Sequence, residues 1–120
     1  MSAIQRKHTG PLMSEIVIHN GIVYLSGVIP APEAEGKDIA TQCHSVLAQI
    51  DELLEDVGTH KSRLLTAQIW LTDIEHDMST MNEIWEAWLD PNGVPTRATV
   101  EAKLLRPTVN IEIQVTAALL

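Results

Sequence analysis

The dipeptide Asn20-Gly21 sits between two runs rich in β-branched residues, Glu15-Ile16-Val17-Ile18-His19 and Ile22-Val23-Tyr24-Leu25. A type I′ turn needs positive φ at both central residues, and Asn-Gly meets that need with little strain. The pattern predicts a β-hairpin and commits the chain to a sheet early in its length. Ser26-Gly27 closes the second strand, and Pro30-Ala31-Pro32 opens a loop that runs to about Gly36. The hydrophobic period then changes. Ile39, Cys43, Val46, Leu47, Ile50, Leu53, Leu54 and Val57 recur at three- and four-residue steps, which lays one apolar stripe on a helix. Asp38 or Thr41 suits its start, and Gly58 suits a left-handed stop just past its end.

Leu64 to Leu71 is short and apolar, a strand expected near the centre of the sheet. Asp73, Asp77 and Ser79 lead into a second helix over about Met78 to Leu89, with Met78, Met81, Ile84 or Trp85, and Trp88 turned inward. Asp90-Pro91-Asn92-Gly93 breaks the chain. Two further strands follow. Thr96 to Ala102 carries Arg97, Thr99 and Glu101 on one face and Ala98, Val100 and Ala102 on the other. Asn110 to Ala118 sets Ile111, Ile113 and Val115 opposite Asn110, Glu112 and Gln114. The order β-β-α-β-α-β-β predicts an α+β fold, a single sheet with two helices packed on one face. Nothing is left to cover the other face, so self-association through it is expected.

A chain of 120 residues makes about one domain, taken here as 1–120. Eight basic side chains against sixteen acidic ones give a net charge of −8, which repels phosphate backbones and anionic lipid. Only four aromatic residues are present to stack on bases. No nucleic-acid partner and no membrane partner are expected. The single cysteine, Cys43, excludes an internal disulfide framework and any multi-cysteine metal site, and it fits a reducing cytoplasm. No apolar run approaches the ~20 residues that span a bilayer, and the polar start lacks a signal-peptide core. A cytoplasmic protein is expected.

Charged residues inside the last two strands are where chemistry could sit. Arg97 can clamp a carboxylate with two parallel hydrogen bonds. Glu112 lies between Ile111 and Ile113, and enclosure by a partner would desolvate its carboxyl and raise its pKa. An Arg beside a Glu in a closed pocket can bind an acid and manage a proton on water. The plainer reading, a solvated face with a cross-strand ion pair, comes first on these residues alone. The five histidines show no ligand spacing, so no metal is expected. Cys43 falls on the apolar stripe and reads as a buried small hydrophobe. Neither a nucleophile elbow around Ser26 nor a glycine-rich phosphate loop occurs, and Trp85 and Trp88 read first as core or interface anchors.

The segments Pro95-Thr96-Arg97-Ala98-Thr99-Val100-Glu101-Ala102 and Val109-Asn110-Ile111-Glu112-Ile113 resemble the C-terminal signature of the RidA family, also called YjgF or L-PSP endoribonuclease. Gly10-Pro11, Ser26-Gly27 and Met81-Asn82-Glu83-Ile84-Trp85-Glu86-Ala87-Trp88 match as well. The Ile18-His19-Asn20 hairpin and the Trp-rich second helix are similar to the YoaB-type branch. The resemblance covers nearly the whole chain. It implies a chorismate-mutase-like, YjgF-like fold and homotrimers with three sites in the clefts between subunits. It also implies hydrolysis of enamine/imine intermediates, 2-imino acids to 2-keto acids plus ammonia, without a cofactor.

Carried over residue by residue, the resemblance makes Arg97 the clamp on the substrate carboxylate and Glu112 the residue that positions or activates water. Ser26, Asn82 and Trp85 line the site, with Thr99 where the family has a cysteine. The tyrosine that many members carry after Gly-Pro is absent, and Leu12 and Met13 occupy that region. The alternative is a non-catalytic trimeric binder of small carboxylic or keto acids. The older ribonuclease label fits poorly with the −8 charge and four aromatics.

Overall fold

The computed structural model describes residues 3–120. Its elements are β1 (Gln5–Thr9), β2 (Ser14–His19), β3 (Ile22–Leu25), α1 (Ile39–Asp56), β4 (Leu64–Leu71), α2 (Ile74–Trp88), β5 (Thr96–Glu101) and β6 (Ile111–Ala118). The turn between β2 and β3 has φ of 51° at Asn20 and 77° at Gly21, both in the left-handed region that Asn-Gly tolerates. His19 therefore pairs with Ile22 and the two strands run back antiparallel.

The six strands form one mixed sheet in the order β1-β2-β3-β6-β4-β5. β4 and β5 are parallel neighbours, with α2 making the crossover between them, and every other neighbouring pair is antiparallel. Ile16, Val23, Leu25, Ile69, Leu71, Ile111, Ile113 and Val115 point to one face. They meet Val46, Leu47, Ile50 and Leu54 of α1 and Met81 and Trp85 of α2. Burying each such side chain contributes about 1.5–3 kcal/mol. Both helices thus cover the same face, as an α+β layer predicts.

Three boundaries differ from the sequence reading. There is a sixth strand, β1, whose residues Gln5-Arg6-Lys7-His8-Thr9 carry no apolar side chain to announce it. It is an edge strand, held by pairing with β2 and by contacts of Lys7 Nζ (3.4 Å) and His8 Nε2 (3.1 Å) with the Asp56 carboxylate at the end of α1. The second helix starts at Ile74 rather than Met78, because Asp73 caps it and Glu101 of β5 accepts from the Ile74 N–H at 3.1 Å. The two middle positions of the sheet belong to β3 and β6, and β4 is interior between β6 and β5. Asp38 caps α1, accepting from the Thr41 N–H at 2.9 Å, and Gly58 ends it with φ of 74°.

The opposite face carries Tyr24, Thr66, Gln68, Trp70, Ala98, Val100, Glu112, Gln114 and Thr116, and among the described residues no helix lies over it. Tyr24 and Val100 stay nearly half exposed there, and the Thr66 and Thr116 hydroxyls meet at 2.6 Å.

Candidate functional site

Arg97 lies on β5 in register with Ala67 of β4, a buried residue of the helix-covered face. Its side chain accordingly rises toward α2, where Nη1 donates to Asn82 Oδ1 at 2.8 Å. That bond orients the guanidinium plane while using one of its five N–H donors. Thr99 follows two residues along β5 on the same face, and its Oγ1 is buried without a hydrogen-bond partner. A buried hydroxyl left unpaired costs about 1–3 kcal/mol, a cost that a bound polar group would relieve. Arg97, Asn82 and Thr99 therefore form one cluster at the β5 edge with unmet hydrogen-bonding capacity.

Glu112 lies on β6 in register with Trp70, on the open face. It is half-buried, and burial pushes its carboxyl above the ordinary carboxylate range. The cause lies partly in the chain beside it. Beyond β3, Val28 bridges to Ile113, whereas Tyr24 pairs with Thr116, so the β3 side holds one more residue over this stretch than β6. This bulge presses the main chain of Gly27 against Glu112. A Cβ at Gly27 would overlap the carboxylate, coming within 2.9 Å of its Cδ. Ser26 is half-buried in the same bulge, and its N–H donates to the Glu15 carbonyl at 3.0 Å.

The structure does not bring Arg97 and Glu112 together within one chain. Their β4 partners, Ala67 and Trp70, are three residues apart, so the two side chains leave opposite faces of the sheet. A cross-strand ion pair between them, the plainer reading of these residues, is thus corrected. Trp85 lies in the core, 5% exposed, with its ring centroid 5.4 Å from that of Trp88. Of the residues expected at a site, Arg97, Asn82 and Thr99 share one location. Ser26 and Glu112 share another, and Trp85 follows Asn82 by one turn of α2 with its ring in the core.

A cavity of about 650 Å³ opens beside Ser26 and Gly27, a feature the sequence reading missed. Met13 at the β1–β2 tip, the loop from Val28 to Pro32, and Leu53 of α1 supply much of its wall. Two α1 side chains hold that loop. Gln49 Nε2 donates to the Ile29 carbonyl at 2.9 Å, and Ser45 Oγ accepts from the Ala31 N–H at 2.9 Å. On the same wall Arg106 reaches Glu35 through two parallel bonds of 2.7 and 2.6 Å, and Thr108 Oγ1 donates to it at 2.7 Å. These bonds hold the Glu35 carboxyl down at a pKa of about 2. The signal for this region was Gly27 itself, since a glycine closing a strand marks a bulge or a close approach of backbone.

One mixed sheet, two helices on one face and an Arg and a Glu on its last strands describe a YjgF-type domain. Comparison with known proteins agrees. The family model for endoribonuclease L-PSP matches residues 5–119. The RutC family protein YoaB of Escherichia coli is 42% identical over 105 residues, covering 88% of this chain and 89% of the relative. A RutC family protein of Haemophilus influenzae is 41% identical over 114 residues, covering 95% and 97%. The crystal structure of a YjgF family protein from Neisseria meningitidis superposes with a TM-score of 0.89 at 40% identity, covering 98% of this chain and 95% of that one. The chain belongs to the endoribonuclease L-PSP family, known also as YjgF or RidA, and YoaB is among its relatives.

Proposed function

We propose that this protein is a hydrolytic deaminase of reactive 2-imino acids, with each site built between two subunits of a homotrimer. The observation that carries the reading is the placement of Arg97 and Glu112 on opposite faces of one sheet. Each is already prepared for its part. Arg97 is oriented by Asn82 at the β5 edge, and Glu112 is backed by Gly27 on a face no helix covers. A copy whose open face meets the β5 edge of its neighbour would bring the two groups to one cleft, as heterologous contacts around a closed ring do.

The chemistry asks little of the protein. Arg97 holds the substrate carboxylate through paired hydrogen bonds, which fixes the iminium carbon in the cleft. Water adds to that carbon while Glu112 takes one of its protons, giving a carbinolamine. Glu112 then returns the proton to the amine nitrogen. The C–N bond breaks, the hydroxyl proton is shed, and 2-keto acid and ammonia leave. A carboxyl whose pKa is raised toward neutrality is better matched to this exchange than an ordinary one. Burial pushes the thiol of Cys43 up to about 11, so it packs in the core and takes no part in this chemistry.

The test uses an L-amino-acid oxidase to generate 2-imino acids, with semicarbazide competing to trap them. Wild-type protein should deplete the semicarbazone. Arg97→Ala, eluting as the same oligomer, should lose turnover by about a hundredfold or more. Full turnover by folded Arg97→Ala overturns the reading. A protein that binds 2-keto acids through Arg97 but spares every semicarbazone is the carboxylate binder instead.

A further inference from the structure

Gln42 of α1 is the most deeply buried polar side chain among the described residues, and the mechanism above makes no use of it. Its Nε2 donates to the Lys37 carbonyl at 3.0 Å, the Thr108 carbonyl at 3.2 Å and Asn110 Oδ1 at 3.0 Å. Its Oε1 accepts from the Asn110 N–H at 2.8 Å. Asn110 carries the connection onward. Its Nδ2 donates to Thr72 Oγ1 at 2.8 Å, and its carbonyl accepts from the Thr72 N–H at 3.1 Å. One side-chain amide thus joins the first turn of α1 to the start of β6 and the end of β4. A buried network with every member satisfied specifies a single arrangement.

The strand pairing shows why the start of β6 needs such a tie. Val28 and Ile113 exchange both backbone bonds, at 2.8 and 3.0 Å. The next bonded position on that side falls to Pro30, which has no N–H to donate. The ladder stops there, and Gln42 takes hold of Asn110 by two bonds instead. Glu112 lies between these two fixed points, one residue from Ile113 and two from Asn110. We propose that Gln42 is a positioning residue for Glu112, setting from the helix layer the carboxylate on the opposite face of the sheet. Apolar packing cannot replace it, since Asn110 would be left with an unpaired N–H and Oδ1. The effect on turnover rests on the deaminase reading above; the placement of Glu112 does not.

The experiment follows the Glu112 carboxyl by carbon-13 NMR titration, alongside kcat and KM on 2-imino acids, in Gln42→Met and Thr59→Val. Thr59 is the control. Its buried hydroxyl donates to the Ala118 carbonyl at 2.7 Å, so its loss weakens the far end of the same strand. In Gln42→Met the Glu112 midpoint should fall toward the ordinary glutamate value as water reaches the carboxyl. There kcat should drop about tenfold with KM near wild type, because Arg97 still anchors the substrate carboxylate. Thr59→Val should keep both the midpoint and kcat, whatever stability it loses. Should Gln42→Met not fold, Asn110→Ala keeps the N–H bond to Gln42, removes the side-chain bonds and carries the same expectation. A wild-type midpoint and kcat in the folded variant overturn the assignment and leave the deaminase reading standing. Equal changes in Gln42→Met and Thr59→Val show a general loosening of β6 and overturn it as well. A lowered midpoint in Gln42→Met, with no turnover by wild-type protein, keeps the placement and removes the deaminase reading.

Discussion

Glu35 carries the strongest charge-assisted contacts of the described chain, two bonds from Arg106 and one from Thr108. They tie the segment before α1 to the segment before β6, across seventy-one residues of sequence. The folded carboxyl ionises near pH 2 against an ordinary value of 4.5. A carboxyl depressed in this way stabilises the fold fully above its unfolded pKa, and the contribution is lost as pH falls toward the folded one. Arg106→Met should therefore flatten the loss of stability between pH 4.5 and about 2, read as the urea midpoint at each pH. A slope equal to wild type would show that other carboxyls govern the acid limb. Arg97 shows the converse economy, since its one bond to Asn82 aligns the fork and leaves donors to spend on a ligand.

Among the elements, the bulge at Ser26-Gly27 matters most to the site, because it sets backbone where any side chain would displace Glu112. Gly27→Ala should reduce kcat on imines on the order of a hundredfold, the cost of moving a reacting group by about 1 Å, while circular dichroism keeps the native signature. An active Gly27→Ala would separate Glu112 from the chemistry. The hairpin, both helices and the three later strands were legible because apolar period, Asn-Gly and Gly58 act locally. β1 was not, since its polar residues owe their order to β2 and to Asp56, far along the chain. The early start of α2 escaped for the same reason, since Glu101 of a later strand satisfies its first N–H.

The site as a whole was half legible. Ile111, Ile113 and Val115 announce which way Glu112 points. β5 gives no such sign: Ala98 and Val100 look like core residues, yet they occupy the open face while Arg97 and Thr99 turn toward the helices. Small and apolar groups there fit the proposed contact with a second copy. If neighbouring copies complete the site, two dead variants must rescue one another. Mixing equal amounts of unfolded Arg97→Ala and Glu112→Gln and refolding them together should restore about a quarter of the sites in a closed ring, read in the semicarbazide assay. No recovery from a properly assembled mixture would mean that neighbouring copies do not build one site from Arg97 and Glu112. The sheet order has a consequence for synthesis as well. β6 joins β3 to β4, yet it is translated after all the others. Until it leaves the ribosome, the nascent chain holds two separate pieces, β1-β2-β3 and β4-β5, with bare strand edges open to mispairing.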